Sequence, residues 1–309
     1  LAVLQFQRAT DSRSRHINMG ITLSESYPVR LPEVARRRTL WTAGGRLAAL
    51  EAAPAAPVPV RGVVVLLPGF TGSKEDFIPL LSPIVAAGYR VIAYDQRGQY
   101  ESDGPARERA YSMELFARDL REVIGMVGDG GPVHLAGHSF GGLVARTLVI
   151  AEPALVRSLT LLDSGPAGAS LLRARWLGLL AGLIRLCGPA VFAALAVEAA
   201  RWTGVPAGRL PWLRYRLLHT QRAGLVGMSQ ALSREPDRVD ELASTPVPVL
   251  VVSGEHDDAW SPKVQEEMAR RLNAPMVIIK NAGHTPNEDQ PEVTAGAMLR
   301  FWDLAGRVP

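Results

Sequence analysis

Gly137-His138-Ser139-Phe140-Gly141-Gly142 is the stretch of sequence that decides the fold. An apolar run at 132–136 predicts a strand before it, and residues 143–148 predict a helix after it. A serine framed by glycines between a strand and a helix is typical of a tight turn, the nucleophile elbow, that lifts the hydroxyl clear of the sheet. Side chains two positions before or after the serine would collide with the neighbouring strand or helix, so glycine is expected there.

The motif alone has a simpler explanation, a glycine-rich turn that carries no chemistry. Two later segments argue against it. Residues 247–254 predict a buried strand followed by Glu255-His256-Asp257-Asp258, and residues 274–279 predict another followed by Asn281-Ala282-Gly283-His284. Serine, acid and histidine therefore each follow a strand, in the chain order expected of this elbow.

These segments together resemble the serine hydrolases of the α/β-hydrolase superfamily, over most of the chain from about residue 39 to about residue 305. The resemblance implies that Ser139 is the nucleophile and that His284 is the base that takes its proton. Of the six histidines, His284 is the one that follows a late strand in a Gly-His turn, as in the family. A loop histidine without a catalytic role is the alternative.

Two aspartates compete for the role of the acid. Asp257 is three residues past Gly254, which is the offset expected in the family, whereas Asp258 is four residues before Pro262, which also fits a common family spacing. We favour Asp257 because the strand end fixes its position better than a downstream proline does. The other aspartate is expected to face solvent or to cap the helix that starts near Ser261 and Pro262.

The oxyanion of a tetrahedral intermediate needs hydrogen-bond donors, and the resemblance implies that two backbone N–H groups supply them. One belongs to Phe140, directly after the serine, and the other to Phe70 in the loop 68–72. Pro68 stands where many relatives have a histidine, which leaves the backbone donor in place but removes a side chain that braces the loop. The segment Asp95-Gln96-Arg97-Gly98 also resembles a family loop, although residues 99–102 depart from it. We expect Asp95 and Arg97 to hold loops near the site, without a catalytic role.

Composition is that of an ordinary globular enzyme of 309 residues, with 47% hydrophobic and 21% charged residues. The single cysteine, Cys187, excludes an internal disulfide, and its apolar surroundings predict a small buried hydrophobe. No Cys/His cluster has the spacing of zinc ligands, so we expect no metal and no cofactor.

The formal net charge of +4 raises the hypothesis of a nucleic-acid partner, but no recognition motif accompanies the arginines near the amino terminus, so we reject it. Residues 1–38 are expected to form a leader, poorly ordered at least to about residue 20, with Met19 as an alternative start. They contain no apolar segment of signal-peptide length, so the expected location is cytoplasmic.

Strands that alternate with helices predict a doubly wound, mostly parallel sheet, built from residues 39–164 and 242–309. The alternation stops at 165–241, which is apolar and predicts an inserted helical cap. A transmembrane helix at 176–197 is disfavoured because Arg185 lies near its centre and Gly188-Pro189 would break it. A cap this apolar could also contact a membrane surface. The oligomeric state does not follow from the sequence.

The resemblance implies a hydrolase of carboxylic esters or related acyl bonds, acting on a small substrate with an apolar acyl or alcohol part. Two alternatives stay open. An aminopeptidase of the proline-iminopeptidase type would need cap acids such as Glu198 or Glu235 to hold an ammonium group. A non-hydrolytic receptor with the same fold could also retain the three residues.

Overall fold

Eight strands form one sheet in the order β1-β2-β4-β3-β5-β6-β7-β8 in this computed structural model, which describes residues 30–202 and 205–306. β1 pairs antiparallel with β2, and β2 with β4, whereas all other neighbours pair in parallel. The doubly wound, mostly parallel sheet predicted from the sequence is confirmed. Its strands are β1 (Ala35–Thr42), β2 (Gly45–Ala52), β3 (Val63–Leu67), β4 (Arg90–Tyr94), β5 (Val133–His138), β6 (Val156–Leu162), β7 (Val249–Gly254) and β8 (Met276–Ile279).

Helices cover both faces of the sheet. The described α-helices are α1 (Ile78–Ala86), α2 (Met113–Val127), α3 (Phe140–Ala151), α4 (Leu171–Cys187), α5 (Pro189–Trp202), α6 (Leu210–His219), α7 (Arg222–Arg234), α8 (Val239–Ala243), α9 (Pro262–Arg271), α10 (Pro286–Asp289) and α11 (Pro291–Ala305). Helices α2, α3 and α9 pack on one face, and α1 and α11 pack on the other. Alternate residues of β3 belong to the two resulting cores, which explains its uninterrupted apolar sequence.

Helices α4 to α7 lie between β6 and β7, within the stretch where the sequence predicts an inserted cap. They share an apolar cluster of their own, to which α4 contributes Ala181 and Ile184, α5 contributes Phe192, α6 contributes Leu217 and α7 contributes Leu225. Among the described helices, none has the length and the apolar character needed to span a bilayer.

The first strand begins earlier than predicted. β1 starts at Ala35, so residues 35–38 belong to the sheet and not to a leader. The sequence did not predict this start because arginines replace the apolar residues that indicate a strand. They are accommodated because β1 lies at the edge of the sheet, where Arg36 and Arg38 pair with Glu51 of β2 at 2.9 Å each. Residues 1–29 of the predicted leader, with the expected disorder and the alternative start at Met19, lie outside the described residues.

Cys187 is also placed differently. It is exposed, whereas the sequence predicts a buried residue. Cys187 is the last residue of α4. Leu177, Ala181 and Ile184 form the buried side of that helix, and Cys187 does not lie on that side. An apolar neighbourhood in the sequence does not distinguish the two sides of this helix.

Candidate active site

Ser139 connects β5 to α3 in a strained conformation, with a φ of 53° and a ψ of −119°. The two elbow glycines make this turn possible. A Cβ at Gly137 would overlap the backbone of Gly141, and a Cβ at Gly141 would overlap the carbonyl of Leu67 in β3. The N–H of Ser139 donates to the carbonyl oxygen of Leu162 at 2.8 Å, which ties the elbow to β6. The steric reason given for glycine at these positions is confirmed.

The structure brings Ser139, His284 and Asp257 together. His284 follows β8, and its Nε2 lies 3.0 Å from Ser139 Oγ. Its Nδ1 lies 2.8 Å from Oδ1 of Asp257, which follows β7. The carboxylate of Asp257 is fixed by the N–H of Ala259 at 2.8 Å and by the Gln265 amide at 2.8 Å. Three residues far apart in sequence thus form one hydrogen-bonded line.

Asp258, the alternative acid, does not join this line. Its side chain is 71% exposed, and its carboxylate lies 3.9 Å from the guanidinium of Arg173. Of the two aspartates, only Asp257 points its carboxylate at His284 in the described structure.

Burial opposes ionisation of Asp257, but the hydrogen bond from His284 and its charge hold the pKa of that carboxyl below its ordinary value. An acid with a low pKa is ionised at neutral pH. It can therefore orient the imidazole and offset its charge when the imidazole is protonated.

A second carboxyl, Asp163, lies behind the acid. It follows β6, is fully buried and accepts a hydrogen bond from the N–H of Gly254 at 2.8 Å. Burial, together with the negative charge of Asp257, raises the pKa of Asp163 to about 9. Sequence reasoning missed this residue. Its position directly after a strand next to the elbow strand was the available signal.

His138 is a further residue that the sequence reasoning left without a role. Its ring lies between the Gly69 loop and His284, and its Nε2 is 2.6 Å from the carbonyl oxygen of His284. Burial, together with the neighbouring imidazole, lowers the pKa of His138 to about 4. A neutral ring with its proton on Nε2 donates to that carbonyl and so holds the backbone of His284.

His138, Asp163 and His284 place potential ligand atoms within 4.8 Å of one another, which makes them the candidate metal cluster of the described residues. Both ring nitrogens of His284 already face Asp257 and Ser139 at hydrogen-bonding distance. A metal ion would have to break one of these bonds, so the geometry favours a proton-transfer site.

The predicted oxyanion donors follow two neighbouring parallel strands, since Phe70 follows β3 and Phe140 comes directly after Ser139 at the end of β5. Phe140 is the first residue of α3, so its N–H precedes the helical hydrogen bonds. Phe70 follows β3, and the loop turns back on itself through the N–H of Gly72, which donates to the carbonyl of Gly69 at 3.1 Å. In the described part of the chain, neither N–H donates to a backbone carbonyl of another loop.

Two glutamines brace the Phe70 loop where Pro68 replaces the usual histidine. The amide of Gln99 donates to the carbonyls of Gly69 and Phe70 at 2.7 and 3.2 Å, and that of Gln96 donates to Pro68 at 3.0 Å. All three carbonyls of this loop are thereby held by side chains of the segment that follows β4. The sequence did not reveal this brace because residues 99–102 depart from the family loop, so the resemblance assigns no partner to Gln99.

Asp95 and Arg97 hold neighbouring segments, the role expected of them. Asp95 accepts from Nζ and from the backbone N–H of Lys74, at 2.8 and 2.7 Å. Burial opposes the charge of Lys74, but the carboxylate of Asp95 holds the pKa of that amine above its ordinary value. Arg97 binds both carboxylate oxygens of Asp119 at 2.5 and 2.6 Å, which ties its loop to α2.

The profile of the Alpha/beta hydrolase family matches residues 64–297, which is most of the chain. The chain belongs to the α/β-hydrolase family. The match covers the elbow, the acid and the histidine, and it also spans the helical insertion.

Relatives of this α/β-hydrolase include proteins named as hydrolases. A protein of Variovorax paradoxus that bears the name carbamate hydrolase is 38% identical over 137 residues, which is 43% of this chain and 50% of that protein. The 2-(acetamidomethylene)succinate hydrolase of Mesorhizobium japonicum is 29% identical over 76% of this chain and 86% of its own length. In structure, a thermophilic esterase from Thermogutta terrifontis superimposes with a TM-score of 0.73 at 24% identity, over 88% of this chain and 99% of that one.

Proposed function

We propose that this α/β-hydrolase is a serine hydrolase that cleaves a carboxylic ester, or a related acyl bond, with an apolar acyl or alcohol part. The observation that carries the proposal is the hydrogen-bonded line from Ser139 through His284 to Asp257, with distances of 3.0 and 2.8 Å. A serine hydroxyl is a weak nucleophile at neutral pH, and an imidazole at this distance can take its proton during attack.

In this mechanism Ser139 Oγ forms a bond to the acyl carbon while its proton passes to His284 Nε2. The tetrahedral intermediate collapses, the bond to the alcohol breaks, and the imidazolium returns the proton to the leaving oxygen. The acyl group then remains on Ser139. Water attacks the acyl-enzyme by the same route, with His284 again as base, and the carboxylic acid and the free serine are regenerated.

The negative charge of the intermediate needs donors that are in place before the reaction. The N–H groups of Phe70 and Phe140 are proposed for this role, and the amides of Gln96 and Gln99 keep the Phe70 loop in its shape. Loss of one such donor typically costs about a hundredfold or more in turnover.

Apolar surroundings support a substrate with an apolar part. The side chain of Phe70 packs against both the sheet core and the helical cluster of α4 to α7, so the cap meets the core next to the proposed oxyanion donor. The ring of Trp260 lies 6.0 Å from that of His284, between centroids. Apolar and aromatic linings of this kind bind acyl or alkyl groups better than charged ones.

The aminopeptidase alternative gains no support from its two candidate acids. The carboxylate of Glu235 is buried and pairs with Arg146 at 2.7 Å, so it is neutralised within the protein. Glu198 is exposed on α5 and accepts from the indole of Trp202 at 3.1 Å. Neither is a free carboxylate in an enclosed site.

The test combines a covalent probe with a substrate panel. A fluorophosphonate should label the wild type, and Ser139→Ala should abolish labelling, whereas Ser261→Ala at the start of α9 should retain it. The p-nitrophenyl esters of rising chain length should be hydrolysed, and aminoacyl-naphthylamides should not. Labelling that persists in Ser139→Ala, or turnover of the naphthylamides alone, would contradict the proposal. If a hydrophobic ligand raises the Tm while neither panel is turned over, a binding protein is favoured instead.

A further inference from the structure

Helix α4 carries a row of large apolar side chains on its solvent side. These residues are separated by four, three and seven positions, which places them on one side of the helix. They are 61% to 87% exposed, although each is large and apolar. The four residues are Leu172, Trp176, Leu179 and Leu186.

Helix α5 continues the pattern with Val191, Leu195 and Trp202, which are 38%, 48% and 84% exposed. Gly188, with a φ of 78°, joins the two helices in a sharp turn. Both helices contribute their other sides to the same apolar cluster, through Ile184 of α4 and Phe192 of α5. The two exposed rows therefore face away from that cluster, and we call them the α4–α5 face.

The charge of this region is strongly one-sided. Residues 166–234 contain nine arginines and a single acidic residue, Glu198, which gives a formal net charge of +8. Four of these arginines pair with acids outside the stretch, and they are Arg173, Arg185, Arg209 and Arg216. Since the whole chain carries +4, the remainder carries −4. Arg175 lies on the exposed side of α4, three residues after Leu172 and four before Leu179, so cationic and apolar groups share one surface.

We propose that the α4–α5 face docks onto the surface of a bilayer that contains anionic phospholipids. Apolar side chains would enter the boundary between headgroups and acyl chains, and arginines would bind lipid phosphates. Trp176 and Trp202 are the residue type that prefers this interface, because the ring is apolar and the indole N–H is polar. So many large, exposed apolar side chains on two successive helices are uncommon on a surface that binds nothing.

Charge decides against a second copy of the chain as the occupant. Two copies that joined through this face would bring two stretches of net positive charge together, each with an exposed Arg175, which disfavours association. An anionic lipid surface instead attracts such a region, and an interfacial helix needs to sink only roughly 5–10 Å into the boundary. The proposal concerns binding and is independent of the proposed esterase activity.

The test is co-sedimentation of the full chain with vesicles of phosphatidylcholine alone, or of phosphatidylcholine mixed with phosphatidylglycerol. We expect binding to the anionic vesicles that weakens at high salt, and much weaker binding to the neutral ones. Trp176→Ser should lower the partition coefficient by roughly tenfold or more. Trp41→Ser is the matched control, because Trp41 is 69% exposed on β1 and Trp176 is 61% exposed on α4.

A charge variant separates the electrostatic contribution to vesicle binding from the apolar one. Arg175→Glu changes the surface charge by two and should weaken binding to the anionic vesicles by roughly thirtyfold. Arg300→Glu, at an exposed position of α11, should have little effect. Equal binding to both vesicle types, equal losses in the two tryptophan variants, or a concentration-dependent dimer that Trp176→Ser abolishes would each overturn the proposal. Unchanged circular dichroism would show that each variant is folded.

Discussion

The hydroxyl of Ser139 depends on residues that do not touch it. His138 holds the backbone of His284, and Gln265 and Ala259 hold the carboxylate of Asp257. These contacts fix the imidazole between the hydroxyl and the carboxylate, so that proton transfer needs no side-chain rearrangement. At this scale the sequence predicted the three side chains of the hydrogen-bonded line and missed the residues that position them.

The two neighbouring aspartates provide a residue-level prediction. Asp257→Asn removes the charge that stabilises the protonated imidazole and should lower kcat for p-nitrophenyl esters by about 10³- to 10⁴-fold. Asp258→Asn changes an exposed side chain and should alter kcat less than about twofold. Steady-state kinetics of both variants measure this. A large loss in Asp258→Asn with little loss in Asp257→Asn would reverse the assignment.

Asp163 provides a prediction for stability against pH. The folded carboxyl keeps its proton up to about pH 9, whereas an unfolded aspartate loses it near its ordinary pKa of 3.8. The stabilisation that it contributes is therefore complete below about pH 4 and is lost as the pH rises towards 9. The asparagine of the Asp163→Asn variant has no carboxyl proton to lose, so its contribution to stability does not change with pH.

Urea unfolding of wild type and Asp163→Asn at pH 5 and pH 8 checks this. The free energy of unfolding of the variant relative to wild type should rise with pH, by at most about 1.4 kcal/mol per pH unit. If the free energy of unfolding depends on pH in the same way in both proteins between these values, Asp163 is ionised in the folded state and its assigned raised pKa is wrong.

Between elements, the inserted helices meet the core at a few close contacts. Gly224 of α7 lies against the loop after β4, where an added Cβ would be 2.7 Å from the carbonyl oxygen of Gly98. The N–H of Gln221 donates to the same carbonyl at 3.1 Å. This contact places α7 directly over the loop whose Gln99 braces the proposed oxyanion donor.

Gly224→Ala should therefore destabilise the protein by about 1–3 kcal/mol, because the backbone of the Gly98 turn cannot give way easily. Gly178→Ala in α4 is the matched control. An added Cβ there meets no atom within 4 Å, and alanine should stabilise the helix by up to about 1 kcal/mol. Thermal unfolding of both variants compares them. Equal effects would show that α7 does not pack on this turn.

The elements themselves were predictable to different degrees. The core strands could be predicted because they are covered on both faces, so that their sequences are uninterrupted apolar runs such as that of β3. The start of β1 could not, because an edge strand whose first residue is followed by three consecutive arginines has no such run. The inserted stretch predicted helices, but its composition did not show which sides of α4 and α5 remain exposed.

For the whole molecule, the sheet order explains how the site forms. β5, β6, β7 and β8 are consecutive neighbours and parallel, so the residues that follow them meet at one edge. Ser139, Asp163, Asp257 and His284 follow these four strands in turn. Serine, acid and histidine could be predicted because this topology follows from the alternation of strands and helices. The Gln99 brace could not, since it depends on how two loops pack.

Ser139 is proposed to carry the acyl group during the reaction. A mass measurement of the acid-quenched reaction tests this most directly. After mixing with p-nitrophenyl butyrate, we expect a butyryl mass increment on the peptide containing Ser139, and neither increment nor turnover in Ser139→Ala. An increment on a different residue, or full turnover by Ser139→Ala, would contradict it.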